Sequence, residues 1–264
     1  KHLSVFLMLF GMIFTEVDSL AQNRDKQIID SILPLIQNSP KDTIYVIRLC
    51  KLSNSYRILN HDKGIQFGTE AILLSQKLNW KKGMAMAYAS VASCYWAKSD
   101  YLNSLDFFQK SQSMYEQLGM YAQSVRSYTS IASVNYAQQE FQKALQNYLK
   151  ALDIVSERKL DSKESNIKEE IYVNMGMTYA IMGKIPEAID AYQIACSGYV
   201  VKKQIPFIIS TQNLIAETSG FLNRDSIANA CFQRSIFLAD SIRDEYQLAL
   251  TKQRMGSYYA NKRL

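Results

Sequence analysis

Apolar residues recur every three or four positions along most of the chain, as in Val91 and Tyr95 and, after a polar break, Leu105 and Phe108. That is the period of an amphipathic helix and not the alternation of a half-buried strand. The periodic runs come in pairs. Short polar turns separate the two members of a pair: Lys98-Ser99-Asp100, Gln138-Gln139-Glu140, Met182-Gly183-Lys184 and Asn223-Arg224-Asp225. Pro186 and Pro206 fall where first helical turns are predicted, positions at which a missing amide proton costs nothing. The pairs themselves repeat. Tyr88, Tyr128 and Tyr172 are spaced by 40 and 44, and the small residues Ala92, Ala132, Gly176, Ala216 and Gly256 by 40, 44, 40 and 40. The same register aligns Tyr101, Phe141 and Ile185, then Ser104, Ala144, Ala188 and Ala228, then Phe108, Tyr148, Tyr192 and Phe232.

The residue types in these columns have a packing reason. Where two helices of a hairpin cross, a side chain larger than Ala forces the axes apart, so the crossing takes small residues while an aromatic fills the groove beside it. One hairpin cannot bury both of its faces, but a stack can. The prediction is an all-α, right-handed superhelical solenoid of antiparallel helical hairpins, about five to six in number. Its repeating units run 81–120, 121–160, 165–204 and 205–243, with a last helix over 244–261 that has no partner after it. The region 22–80 precedes the array. It holds a leading helix over 23–38, starting or kinking near Pro34, and a divergent hairpin of 42–58 with 62–78. Ile65, Ala71, Ile72, Leu74 and Leu78 form the buried side of its second helix, in which Gly64 and Gly68 each lower helix propensity by roughly 1 kcal/mol.

The sequence of aromatic, small residue, Tyr, Gly, Ala and Tyr/Phe resembles the tetratricopeptide repeat in a longer version of about 40 residues. Met175-Gly176, Tyr179, Gly183, Ala188, Tyr192 and Ala195 carry the nearest match, and Phe141, Ala144, Tyr148 and Ala151 follow in the unit before. Tyr stands where the family's first helix usually has Trp, Asn135 replaces a Tyr, and the unit at 205–240 keeps little beyond Ala216, Ala228 and Phe232. The resemblance covers most of 42–260 and implies a protein- or peptide-binding scaffold.

Composition changes the picture at the start of the chain. Lys1 and His2 precede an apolar run from Leu3 to Phe14, and Ser19-Leu20-Ala21 offers small residues at the positions a signal peptidase reads. An export signal over 1–21, cleaved after Ala21, is expected, and the run falls short of the roughly 20 residues of a membrane span. Export places the protein in the periplasm or on the extracytoplasmic face of a bacterial envelope. Cleavage would move the net charge only from +6 to +7. Charges of both signs interleave, and no basic run with aromatics tracks a phosphate backbone, so a nucleic-acid partner is not expected. The four cysteines, Cys50, Cys94, Cys196 and Cys231, are far apart without a CxxC pair and read as buried free thiols.

A second resemblance concerns order. The export signal, Ile-Asp-Ser-Ile-Leu, a proline with Asp42-Thr43, the hairpin ending Lys77-Leu78-Asn79-Trp80-Lys81-Lys82-Gly83, and then 40-residue repeats are similar to the extracytoplasmic sensor halves of certain bacterial signalling proteins. The resemblance implies a membrane tether and an output module beyond Leu264, most often a histidine kinase. A free exported adaptor organising an envelope complex is the alternative.

Chemistry is scarce. His2 and His61 are the two histidines, and neither a triad nor a histidine metal site can be built from them. His61 reads as a loop residue. Glu169 and Glu170 are adjacent and point about 100° apart on a helix, so they do not converge. No catalytic, cofactor or metal site is expected. What remains is the groove lined by the first helices, where the register places Met86, Trp96, Arg126, Tyr136, Glu140, Met177, Ile181, Asn213, Glu217 and Phe221. The mixture of apolar anchors and a few polar groups suits a peptide or partner helix. The family's carboxylate clamp of Lys, Asn and Arg is not recognisable.

Overall fold

The computed structural model describes residues 14–37, 39–161 and 165–262, with side chains from Asn23 onward. Twelve α-helices and no strands occur among the described residues: α1 (Phe14–Gln37), α2 (Thr43–Leu59), α3 (His61–Lys77), α4 (Lys81–Ala97), α5 (Tyr101–Gln117), α6 (Tyr121–Ala137), α7 (Phe141–Glu157), α8 (Ile167–Ile181), α9 (Ile185–Val201), α10 (Ile205–Ser219), α11 (Asp225–Ser241) and α12 (Glu245–Lys262). They form two compact units, Lys1–Asn147 and Tyr148–Leu264.

In the first unit α2 packs on α3, α3 on α4, α4 on α5 and α5 on α6, while α1 lies against α2 and α2 also meets α4. Val46, Leu49, Ala71, Ile72, Ala87 and Val91 make one core, and Ala92, Phe108, Ile131 and Val134 the next. In the second unit α8 pairs with α9, α9 with α10, α10 with α11 and α11 with α12. Ala188, Tyr192, Ala195, Tyr199, Ile208 and Ile215 form its main core, followed by Ala216, Ala228, Phe232 and Tyr258.

Three columns of the repeat supply buried core residues, while Tyr88, Tyr128 and Tyr172 and, in another column, Tyr101, Phe141 and Ile185 are half-buried. Ala92, Ala132, Ala216, Ser104, Ala144, Ala188 and Ala228 are completely buried, as are Tyr192 and Phe232. Gly176 shows why the crossing must be small, since a Cβ there would stand 2.7 Å from Cδ1 of Tyr192, inside van der Waals contact. Gly256, the last of its column, would have nothing within 4 Å of an added Cβ and marks no crossing.

Turn chemistry sets the helix lengths. After α4 the amide of Lys98 donates to the Cys94 carbonyl and that of Asp100 to the Tyr95 carbonyl, with Ser99 between them at φ 63°. The turn after α6 repeats this with Gln139 at φ 63° and the Glu140 amide on the Asn135 carbonyl, and the turn after α8 with Gly183 at φ 75° and the Lys184 amide on the Tyr179 carbonyl. A left-handed residue just past the helix lets two amides satisfy orphan carbonyls and reverses the chain. Pro186 and Pro206 sit in the first turns of α9 and α10.

Three expectations are corrected. The leading helix does not start at Pro34, which lies inside α1 near its end. His61 is the first residue of α3 and not a loop residue, because Asn60 caps that helix by accepting from the Lys63 amide at 3.0 Å. Gly64 and Gly68 are more than weak points of α3. Both are buried, and a Cβ on Gly64 would stand 2.6 Å from Cys94 Sγ and 2.9 Å from the Ser53 carbonyl oxygen, so they are the positions where α3 crosses α2 and α4. Residues 1–13, most of the expected export signal, lie outside the described residues.

Candidate functional site

Each first helix of the first unit leaves one stripe open. On α2 it carries Lys51, Asn54 and Ile58, on α4 Lys82, Met86, Ala89, Ser93 and Trp96, and on α6 Arg126, Thr129, Ser133 and Tyr136. These residues recur at three and four positions, so each set lies on one helical face. The opposite faces of the same helices are spent on the core, with Leu49, Leu52, Val91, Ala92, Ile131 and Val134 buried.

Along this open face Trp96 is 41% exposed and Arg126 is exposed. Met86 is half-buried against the core of the first hairpins. Tyr136 is half-buried with its ring edge-on to Phe141 at 5.7 Å, and burial pushes its phenol up from the ordinary value. The small hydroxyls between them turn inward: Ser93 donates to the Ala89 carbonyl, Thr129 to that of Arg126 and Ser133 to that of Thr129. Asn54 bridges neighbouring first helices through Nδ2 to Ser90 Oγ at 3.0 Å. Glu140, at the end of the turn after α6, holds Lys143 at 2.7 Å.

The second unit treats its candidates differently. Met177 packs against the main core and Ile181 is half-buried. Phe221 lies in the 3-10 turn Gly220–Leu222 and is 49% exposed. Asn213 is 1% exposed because α12 covers it, its Nδ2 donating to Thr251 Oγ1 at 2.9 Å. One turn on, Glu217 meets Arg254 Nη1 at 3.3 Å, and burial raises its carboxyl above the ordinary range against the pull of that guanidinium. In this state Asn213 and Glu217 join α10 to α12.

The strongest polar construction elsewhere is Lys202, at the end of α9. Its ammonium donates to Glu169 Oε2 at 2.7 Å, Asp161 Oδ1 at 2.8 Å and the Ser165 carbonyl at 2.7 Å. Lys202 and Glu169 are almost fully buried, and the pair ties the start of α8 to the end of α9. Pattern reading missed it, because the partners are 33 residues apart. The cysteines are free thiols, and burial raises that of Cys50 to about 12. Such a thiol is inert as a nucleophile at neutral pH.

Among the described residues no group of three or more His, Cys, Asp or Glu side chains is placed to hold a metal ion, and no helix is long and apolar enough to cross a membrane.

Comparisons with known proteins place this architecture. Residues 83–157 match the family described as the tetratricopeptide repeat. No curated protein matches the sequence. Among solved structures, the chain is similar to BtubC from P. vanneervenii, with a TM-score of 0.70 at 14% identity over 86% of this chain and 92% of that one. It is also similar to aspartyl phosphate phosphatase F from Bacillus subtilis, with a TM-score of 0.69 at 12% identity over 82% of this chain and 57% of that one. A third is the Rap conjugation gene regulator of the plasmid pLS20 in complex with the Phr* peptide, with a TM-score of 0.59 at 15% identity over 82% of this chain and 60% of that one. The chain therefore spans little more than half of the latter two. At these identities the likeness is one of fold, a tetratricopeptide-like stack of helical hairpins.

Proposed function

We propose that this chain is a non-catalytic scaffold that binds a protein or peptide on the open face of its first helices. The observation that carries the reading is the face of the first unit, where Trp96 and Tyr136 stand at equivalent positions near the ends of α4 and α6, with Met86 and Arg126 at equivalent positions nearer their starts. Aromatic and arginine side chains on an open, preformed surface are the groups that contribute most to protein association. A solved structure of similar fold is a complex with a peptide, which supports the reading by analogy of fold.

The experiment is partner capture with the purified chain and with the Trp96→Ala/Tyr136→Ala double variant. Far-UV circular dichroism and the urea midpoint verify that the variant keeps its helices. A partner that binds the parent and is lost or weakened at least about 30-fold by the variant supports the face, since two anchors of this type carry about 2 kcal/mol or more. Equal binding by a folded variant refutes it.

The finer proposal is that the scaffold is the extracytoplasmic sensor region of a bacterial signalling protein, most often a histidine kinase in proteins of this order. Its support is the apolar run before Ala21 and the leading segment with the divergent hairpin. Fusion of an export-dependent reporter after Lys262 in the full-length gene tests the location, and reporter activity confined to the cytoplasm overturns it.

A further inference from the structure

We infer that the partner segment held on the open face of the first unit is acidic. This rests on the assignment of that face as the binding surface and adds the chemistry of what it binds. The basis is a segregation of charge that the chain's modest net charge conceals. The first helices α2, α4 and α6 together contain Arg48, Lys51, Arg57, Lys81, Lys82 and Arg126 and no Asp or Glu. The second helices α3 and α5 of the same unit contain Asp62, Glu70, Asp106 and Glu116 beside Lys63, Lys77 and Lys110.

Of the cations on the second helices, Lys110 pairs with Asp106 at 2.6 Å and Lys63 lies over the Tyr56 ring at 5.5 Å, while Asp62 takes Lys98 from the turn after α4 at 2.8 Å. On the open face Lys51, Lys82 and Arg126 are exposed, one from each first helix, and none joins an ion pair among the described residues. The carboxylates nearest these cations in sequence are engaged elsewhere: Asp42 accepts from the Ile44 and Tyr45 amides at 2.9 Å, Glu70 from the Tyr45 hydroxyl at 3.5 Å and Glu116 from the Ser124 hydroxyl at 3.4 Å. Arg48, also on α2, is turned away to Ser39 Oγ at 2.7 Å. The hydroxyls of Ser93, Thr129 and Ser133 donate into their own helices, so the face offers a partner three cationic donors among apolar anchors.

Such a face attracts carboxylates and repels basic segments, with like charges opposed at a docked surface costing most. Nucleic acid is the less suited polyanion: sequence-independent binding draws on about 6–10 phosphate contacts, and this face offers three cations, one on each of three helices.

The test is fluorescence anisotropy of the full chain with three labelled probes: a peptide of repeated Glu-Phe-Ser, its Lys-Phe-Ser counterpart, and a single-stranded oligothymidylate. The parent should bind the Glu peptide at least about tenfold more tightly than the Lys peptide, and the preference should shrink as salt rises. The variant Lys51→Gln/Lys82→Gln/Arg126→Gln should lose that preference, while Lys63→Gln/Lys77→Gln/Lys110→Gln on the second helices keeps it. Equal binding of both peptides, abolished by Trp96→Ala/Tyr136→Ala, overturns the acidic partner and leaves the face in place. Binding of neither peptide, or tighter binding of the oligothymidylate, overturns the proposal, as does retention of the preference by the first triple variant.

Discussion

Gly64→Ala separates the two roles a helical glycine can have. In α3 the substitution gains about 1 kcal/mol of helix propensity. Against this, the new methyl would sit 2.6 Å from Cys94 Sγ and 2.9 Å from the Ser53 carbonyl oxygen. The second contact is to backbone of α2, so relief requires the helices themselves to part, and overpacking of this kind costs up to about 3 kcal/mol. The net expectation is a destabilisation of about 2 kcal/mol. Gly256→Ala in α12 isolates the propensity term, because nothing lies within 4 Å of its Cβ, and it should stabilise by about 1 kcal/mol. Urea unfolding followed by far-UV circular dichroism reads both, with the parent slope retained. A Gly64→Ala chain as stable as Gly256→Ala would refute the close crossing of α2, α3 and α4.

Further outcomes follow from particular contacts. Ser99→Gly and Gln139→Gly relieve left-handed residues at φ 63° and should each raise stability by about 0.5–1 kcal/mol in thermal unfolding. Lys202→Met strands the buried Glu169 carboxylate and should cost about 3 kcal/mol, with the further change Glu169→Gln returning most of it. The Glu217 carboxyl titrates above its ordinary 4.5 in the folded chain. The folded state therefore holds this proton more tightly, and the group lowers stability as pH rises from 4.5 through its folded value. Urea midpoints across that window should fall less steeply in Glu217→Gln, and an unchanged slope would contradict the assignment.

The parts of the fold visible in sequence are those encoded as repeats. Ala92, Ala132 and Gly176 recur because the hairpin crossing admits nothing larger, and Phe108, Tyr148, Tyr192 and Phe232 because the groove beside it must be filled. The helix-ending turns were equally legible from polar breaks that recur at spacings of 40, 44 and 41 residues. What escaped depends on pairing across elements. Gly64 read as a poor helix former because its neighbours, Ser53 and Cys94, are 11 and 30 residues away. Asn213 read as a groove residue from its register, and its burial needs α12 to lie over it. The charge pattern was legible in principle, since α2, α4 and α6 lack carboxylates, but it emerges only when alternate helices are grouped by the face they share.

The most direct test of the scaffold assignment is photo-crosslinking in producing cells, with p-benzoylphenylalanine at Ser93 on the open face of α4 and, separately, at Gln109 on the exposed side of α5. The account predicts an adduct of defined mass from Ser93 and none from Gln109, with the captured polypeptide, once purified, binding the parent chain and not Trp96→Ala/Tyr136→Ala. An adduct from Gln109 without one from Ser93, or undiminished binding to the double variant, would contradict it.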